Sequence, residues 1–260
     1  MGLRSGFLPR VFAGKNKRVS NRPAARMQEN DQKLDTLYLL GVVHLDPEGP
    51  RRLKEFLEVT RPRVVTVEVS PYAVTFREER GTELLERLVR FRRKDGSLPG
   101  CLPGVEAQLR IPFEFEAARN YCRDVNLIGN SELSKEYLEL FQEETMAEEN
   151  LEKLAGMDDM CIRREVEREW ARAGLCWLKP RLLGTVDAVA WREREEALAT
   201  KILYHGFERR AVDEKAERQN SCVPIVHVGG WKHVHGLERI LKGRGVKDLK
   251  VLPMLLEQGF

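Results

Sequence analysis

Two short apolar runs limit the fold of this chain more than anything else in it. They are Leu37-Tyr38-Leu39-Leu40-Gly41-Val42-Val43 and Val64-Val65-Thr66-Val67-Glu68-Val69. The second is rich in β-branched residues, the first ends on Val42 and Val43, and both are apolar at consecutive positions, the pattern of a strand covered on both faces. Between them Gly49-Pro50 opens a stretch with Leu53, Phe56 and Leu57 at helical spacing, and Arg61-Pro62 introduces the second run. Strand, helix, strand over so short a distance is the βαβ pattern, whose crossover makes the two strands parallel. The expected class is α/β, with a mostly parallel central sheet flanked by helices.

The remainder of the chain fits this class. A helix is expected over 76–92, a loop over 96–104 with the turn sequence Ser97-Leu98-Pro99-Gly100, a helix over 113–123 and a brief strand over 125–128. Residues 131–174 are helical in pattern and dense in Glu and Arg. They read as a helical insertion in the middle of the chain, with charge runs that form solvated faces. Strand and helix alternate again with a helix over 186–203, a strand over 223–228 that Gly229-Gly230 breaks, a helix to 242 and a last strand over 249–252. The strand-forming segments 37–69 and 223–252 are expected to meet in one sheet, in a single domain over 35–260.

Charge and cysteine content narrow the function classes. Lys and Arg number 44 against 41 Asp and Glu, so the net +3 gives no chain-wide field for nucleic acid. Residues 1–34 hold eight Lys or Arg against Glu29 and Asp31, without helical or alternating periodicity. A disordered basic tail is expected there, although its Arg-rich start also admits a transit peptide or a mis-assigned start upstream of Met27. Five cysteines (Cys101, Cys122, Cys161, Cys176 and Cys222) are widely spaced, with no C-x-x-C pair, which fits a reducing compartment. No apolar run approaches the roughly 18 residues of a membrane span. No integral membrane segment and a cytoplasmic location are therefore expected, and a homo-oligomer is compatible with the sequence.

Two segments share a form that carries chemistry. Gly41-Val42-Val43-His44 follows the first strand and Gly230-Trp231-Lys232-His233 follows a late one, so each is G-x-x-H at the carboxyl end of a strand. In open parallel sheets ligands bind outside those ends, which places both imidazoles at the expected cleft. The glycine of each motif, Gly41 and Gly230, lets backbone or ligand approach closely. Glu68 interrupts an otherwise apolar strand, and a buried carboxylate is costly unless it is paired or bound to a metal. One reading of Glu68 is an ion pair with a nearby arginine. The other is metal: two histidines and a carboxylate are a recurrent ligand set for a catalytic divalent ion such as Mn²⁺, Co²⁺ or Zn²⁺.

The segment from Leu39 to His44, with Arg61-Pro62-Arg63-Val64-Val65-Thr66-Val67-Glu68, resembles the opening of the TraB/PrgY/Tiki superfamily. Further segments agree: Glu114-Phe115-Glu116-Ala117-Ala118 with Val125-Asn126-Leu127-Ile128, Glu193-Arg194-Glu195 with Ala197-Leu198-Ala199, and Val228-Gly229-Gly230 through His233 to Leu237. The resemblance implies a fold related to the erythromycin esterase and ChaN group, with a metal-dependent hydrolase site. It puts the family's paired histidines on His44 and His233, its glutamate on Glu68 and its arginine on Arg194. Tiki members are metal-dependent peptidases, and TraB and PrgY members are linked to peptide pheromones. Here Gly129-Asn130 stands where the family has an acidic residue, the closing loop is one residue longer, and the membrane segments of some members have no counterpart.

The expectation is thus a hydrolase acting on a peptide or amide bond through metal-activated water, with a peptide or small molecule as substrate. Arg194 serves in that reading as a bidentate clamp for substrate or transition-state charge. The alternatives are a non-catalytic ligand-binding protein of the peptide-pheromone or haem type, and a degenerate regulatory protein. Of the other histidines, His227 reads as structural, His205 as a helix-end residue that complements the macrodipole, and His235 as either a spare ligand or solvent-facing.

Overall fold

The computed structural model describes residues 36–122, 125–178, 188–208 and 224–253, with backbone alone at 176–178, 188 and 208. The basic segment 1–34 lies outside them. In chain order the elements are β1 (Leu37–Val42), α1 (Gly49–Thr60), β2 (Val64–Val67), α2 (Pro71–Val89), α3 (Leu102–Leu109), α4 (Phe113–Tyr121) and β3 (Val125–Leu127). There follow α5 (Ser131–Leu140), α6 (Glu148–Ala155), α7 (Ile162–Leu178), α8 (Ala188–Leu203), β4 (Ile225–Gly230), α9 (Trp231–Gly243) and β5 (Leu249–Pro253). Single π-helical turns close α5 and α8, over Phe141–Thr145 and Tyr204–Glu208.

The strands form one all-parallel sheet in the order β3-β2-β4-β1-β5. The early and late segments do meet: β4 enters between β1 and β2, opposing Leu40 with Val228 on one side and Val67 with Val228 on the other. Alternation then divides the core. Leu37, Leu39 and Ile225 face α8 and α9, where Leu198, Ile202, Val234, Leu237 and Leu241 complete one cluster. Leu40, Val42, Val65, Val67, Val226 and Val228 face the other way, onto Leu53, Phe56 and Leu57 of α1 and the apolar sides of α2 and α4. Both faces being covered is why the strands read as near-continuous apolar runs.

Local chemistry sets the helix ends. Ser70 accepts the Ala73 N–H with Pro71 in the first turn of α2, and Asn130 accepts the Glu132 and Leu133 N–H groups to cap α5. Several boundaries differ from the sequence reading. β4 continues through Gly229 and Gly230, because their backbones pair with Gly41 and Val42 of β1 and need no side chain to do so. α3 begins inside the expected 96–104 loop, with Pro103 in its first turn where no N–H is needed. α2 starts earlier, at Pro71. α7 runs past 174 to Leu178, after a break that follows α6.

Candidate functional site

β1 leads by α1 to β2 on one side of β4, whereas β4 leads by α9 to β5 on the other, so connections part at the centre of the sheet. Clefts form outside the carboxyl ends of strands at such a place. Here a cleft of about 390 Å³ is lined by His44, Glu68, Arg194, Gly230 and His233, with Val42, Val43 and Trp231 among its apolar walls. Helix α7 forms the opposite wall through Glu165, Val166 and Glu169. It is held there by Trp170, whose indole N–H donates to Asp46 in the β1–α1 turn at 2.9 Å. Glu169 meets Trp231 Nε1 and Lys232 Nζ, both at 3.3 Å. A second hollow, between α1 and α4 and lined by Arg51, Lys54, Phe113 and Tyr121, holds none of the expected residues.

His44 stands two residues beyond β1, with 58% of its side chain exposed. Its Nδ1 lies 2.6 Å from Oε1 of Glu114, a carboxylate 1% exposed in the first turn of α4. The surrounding protein withdraws solvent from the ring and by itself would lower its pKa. The charge and hydrogen bond of Glu114, aided by Glu68, outweigh that and hold the imidazole above its ordinary range.

Glu68, one residue past β2, is the hub of the site, with its side chain 3% exposed. Oε1 accepts from Arg194 Nη2 at 2.8 Å, and Oε2 accepts from the Gly230 N–H at 3.0 Å. The second contact puts a carboxylate at the N-terminus of α9, where the helix field favours negative charge. His233, in the first turn of α9, brings Nε2 to 3.4 Å from Glu68 Oε1. Burial pushes the Glu68 pKa up, but the positive charge of His233, Arg194 and His44 overrides it and keeps the carboxyl below its usual range. Trp191 stacks on His233, ring centroids 4.2 Å apart, and Glu195 Oε1 faces the other ring nitrogen at 3.9 Å.

Five of the sequence-selected residues therefore meet: His44, Glu68, Arg194, Gly230 and His233. The arginine suspected of pairing with Glu68 is Arg194 itself. At Gly230 a Cβ would stand 3.1 Å from His44 Nε2 and 3.9 Å from Glu68 Oε2, so this glycine adjoins both. Gly41 does not open onto the cleft. A Cβ there would meet Val234 and the backbone of Trp231, at 3.0 and 3.1 Å, and its role is the close seating of α9 on β1. Among the described residues no three His, Cys, Asp or Glu side chains are gathered as an ion-holding group in this arrangement.

His227 is buried within β4, its Nδ1 3.0 Å from Thr66 Oγ1, and burial pushes its pKa down to about 4. His235 points along α9 toward Glu238, at 3.7 Å, and His205 lies in the π-helical turn that closes α8. Glu114 and Glu195 lie in segments that carry the resemblance, but neither they nor Trp191 were selected from the sequence as site residues. The signal was present in the phase of two helices: Trp191, Arg194 and Glu195 extend the apolar stripe of Leu198, Ala199 and Ile202, and Glu114 sits between the buried Phe113 and Phe115. An acid on a buried stripe asks for a partner. No protein-family model, no curated protein and no solved structure matches this chain.

Proposed function

We propose that the chain is a hydrolase of the TraB/PrgY/Tiki type, acting on a peptide or amide bond, with His44, Glu68 and His233 as the residues that would hold a divalent ion. The observation that supports this is the spacing of His233 Nε2 and Glu68 Oε1. At 3.4 Å it is longer than a charge-assisted hydrogen bond and close to the ~3.4 Å between two ligand atoms of one tetrahedral ion. The donor set also fits chemically, since both imidazoles and a carboxylate adjoin one cleft. When bound, such an ion supplies a water of lowered pKa and polarises a carbonyl.

The chain's own residues do the remainder. Arg194, half exposed, presents the guanidinium edge not used by Glu68 to anionic substrate groups or to developing negative charge. The exposed edges of Val43, Val166 and Trp231 give a substrate apolar contact, and α7 limits access of water from one side. A second reading is a ligand-binding protein without turnover. It is favoured by Glu68 itself, whose two oxygens are already engaged by Arg194 and the Gly230 N–H.

The experiment is titration of the purified full chain with Co²⁺ and Zn²⁺, followed by metal analysis. Near-stoichiometric retention, lost in His44→Ala and in His233→Ala with the fold intact, is the expected result. Failure of the wild type to retain either Co²⁺ or Zn²⁺ would overturn the hydrolase reading in favour of the second.

A further inference from the structure

Each candidate imidazole turns one nitrogen toward the cleft and the other toward a buried glutamate from a separate helix. For His44 the partner is Glu114 of α4, at 2.6 Å; for His233 it is Glu195 of α8, at 3.9 Å. Both acids occupy positions that local packing has to accommodate. Glu114 is enclosed with Phe113 and Phe115, and Glu195 presses so closely on α9 that a Cβ at Gly236 would overlap its carboxylate. Two atoms are left with unused hydrogen-bonding capacity. Glu114 Oε2 and His233 Nδ1 are buried and have no hydrogen-bond partner among the described residues.

The consequence follows from donor and acceptor counting. An ionised carboxylate only accepts, so the ring nitrogen that faces it has to carry the proton. A neutral imidazole has one N–H, and its opposite nitrogen is then left with a lone pair. In His44 that opposite nitrogen is Nε2, which adjoins Gly230. His233 differs, because carboxylates stand on both sides of its ring, Glu68 at 3.4 Å from Nε2 and Glu195 at 3.9 Å from Nδ1.

We propose that Glu114 is a positioning residue, fixing the tautomer of His44 so that its Nε2 offers a lone pair to a ligand in the cleft. The identity of that ligand as a divalent ion rests on the hydrolase reading; the tautomer does not. His44 Nδ1 is at full hydrogen-bond contact with Glu114, at 2.6 Å, whereas His233 Nδ1 stands 3.9 Å from Glu195, beyond hydrogen-bond reach.

Long-range ¹H–¹⁵N spectra of the metal-free full chain, at alkaline pH where imidazoles are neutral, read the tautomers directly. His44 is expected as the Nδ1–H form. Glu114→Ala should shift it to a mixture, and Glu114→Gln, whose amide oxygen still accepts, should restore it. The second readout is Zn²⁺ affinity, expected to fall roughly 10- to 100-fold in Glu114→Ala. An Nε2–H form of His44 in the wild type, or a tautomer unchanged by Glu114→Ala, would overturn the proposal whether or not metal binds. The expected tautomer in a chain that retains no metal would uphold the positioning role and sink the hydrolase reading alone.

Discussion

Replacing Asp46 by alanine tests how the cleft wall is held. The Asp46 carboxylate is buried in the β1–α1 turn and accepts from Arg52 Nη1 at 2.8 Å, Trp170 Nε1 at 2.9 Å and the Glu48 N–H at 2.9 Å. Without it a buried indole N–H is left unsatisfied, at a cost of about 1–3 kcal/mol. The Arg52 side chain, 12% exposed, also loses its charge partner, and breaking a buried pair costs about 3–5 kcal/mol. These terms overlap, so the expected loss is about 4 kcal/mol, or about 10 °C in Tm for a domain of this size. Calorimetry and urea unfolding measure it, with Asp46→Asn as the control. Asparagine keeps the shape and one acceptor oxygen and should cost about half as much. Hydrogen exchange should also quicken in α7, which Trp170 no longer ties to the turn. A loss below about 1 kcal/mol in Asp46→Ala would refute the reasoning, as would an asparagine variant no better than alanine.

Other outcomes follow from the same geometry. His227 is held neutral with a folded pKa of about 4, below the ordinary imidazole value, so native protein resists the proton that the unfolded chain accepts. Unfolding free energy should therefore fall as pH drops from about 6.5 toward 4, by up to about 3 kcal/mol from this group, and His227→Val should remove that component. His44 is shifted upward, so its favourable contribution is complete below the ordinary imidazole pKa and is lost as pH rises through its folded value. Proton NMR should place its midpoint above 6.5 in the wild type and lower in Glu114→Gln. In Gly229→Ala the new methyl would stand 2.8 Å from both Glu68 Oε2 and His227 Nε2, and a destabilisation of about 1–3 kcal/mol is expected in denaturant titration. On the hydrolase reading, Arg194→Ala should retain Co²⁺ while turnover falls roughly 100-fold; equal loss of Co²⁺ would make Arg194 only the ion-pair partner of Glu68.

Much of this arrangement was legible because it is written in local pattern. β1 and β2 announce themselves as apolar runs, and the G-x-x-H form marks both strand ends that reach the cleft. Glu68 stood out because a charge broke an apolar strand. What could not be read was pairing across the chain. Nothing in residues 37–69 says that β4, rather than β2, lies beside β1, since a βαβ unit is parallel whether or not its strands are neighbours. Gly229 and Gly230 read as a strand break because glycine has low strand propensity, while the backbone pairing that overrides it comes from β1. Glu114 and Glu195 stayed hidden for a related reason. In chains dense in Glu and Arg, an acid on a helix looks solvated until the helix phase is fixed by what it packs against.

The place of β4 also bears on the order in which the molecule can be made. The middle strand of the sheet is the fourth in sequence, so a chain emerging from the ribosome has β1 and β2 long before the strand that joins them. Until residues 225–230 arrive, β2 lacks its neighbour on one side and β1, whose partners are β4 and β5, lacks both, so each offers unpaired N–H and C=O groups along an apolar ribbon. Long-range parallel pairing of this kind is slow to close. Fragments ending before β4 are therefore expected to aggregate rather than to persist as soluble, inactive domains. Because β4 and α9 also bring Gly230 and His233, closure of the sheet and completion of the cleft are one event.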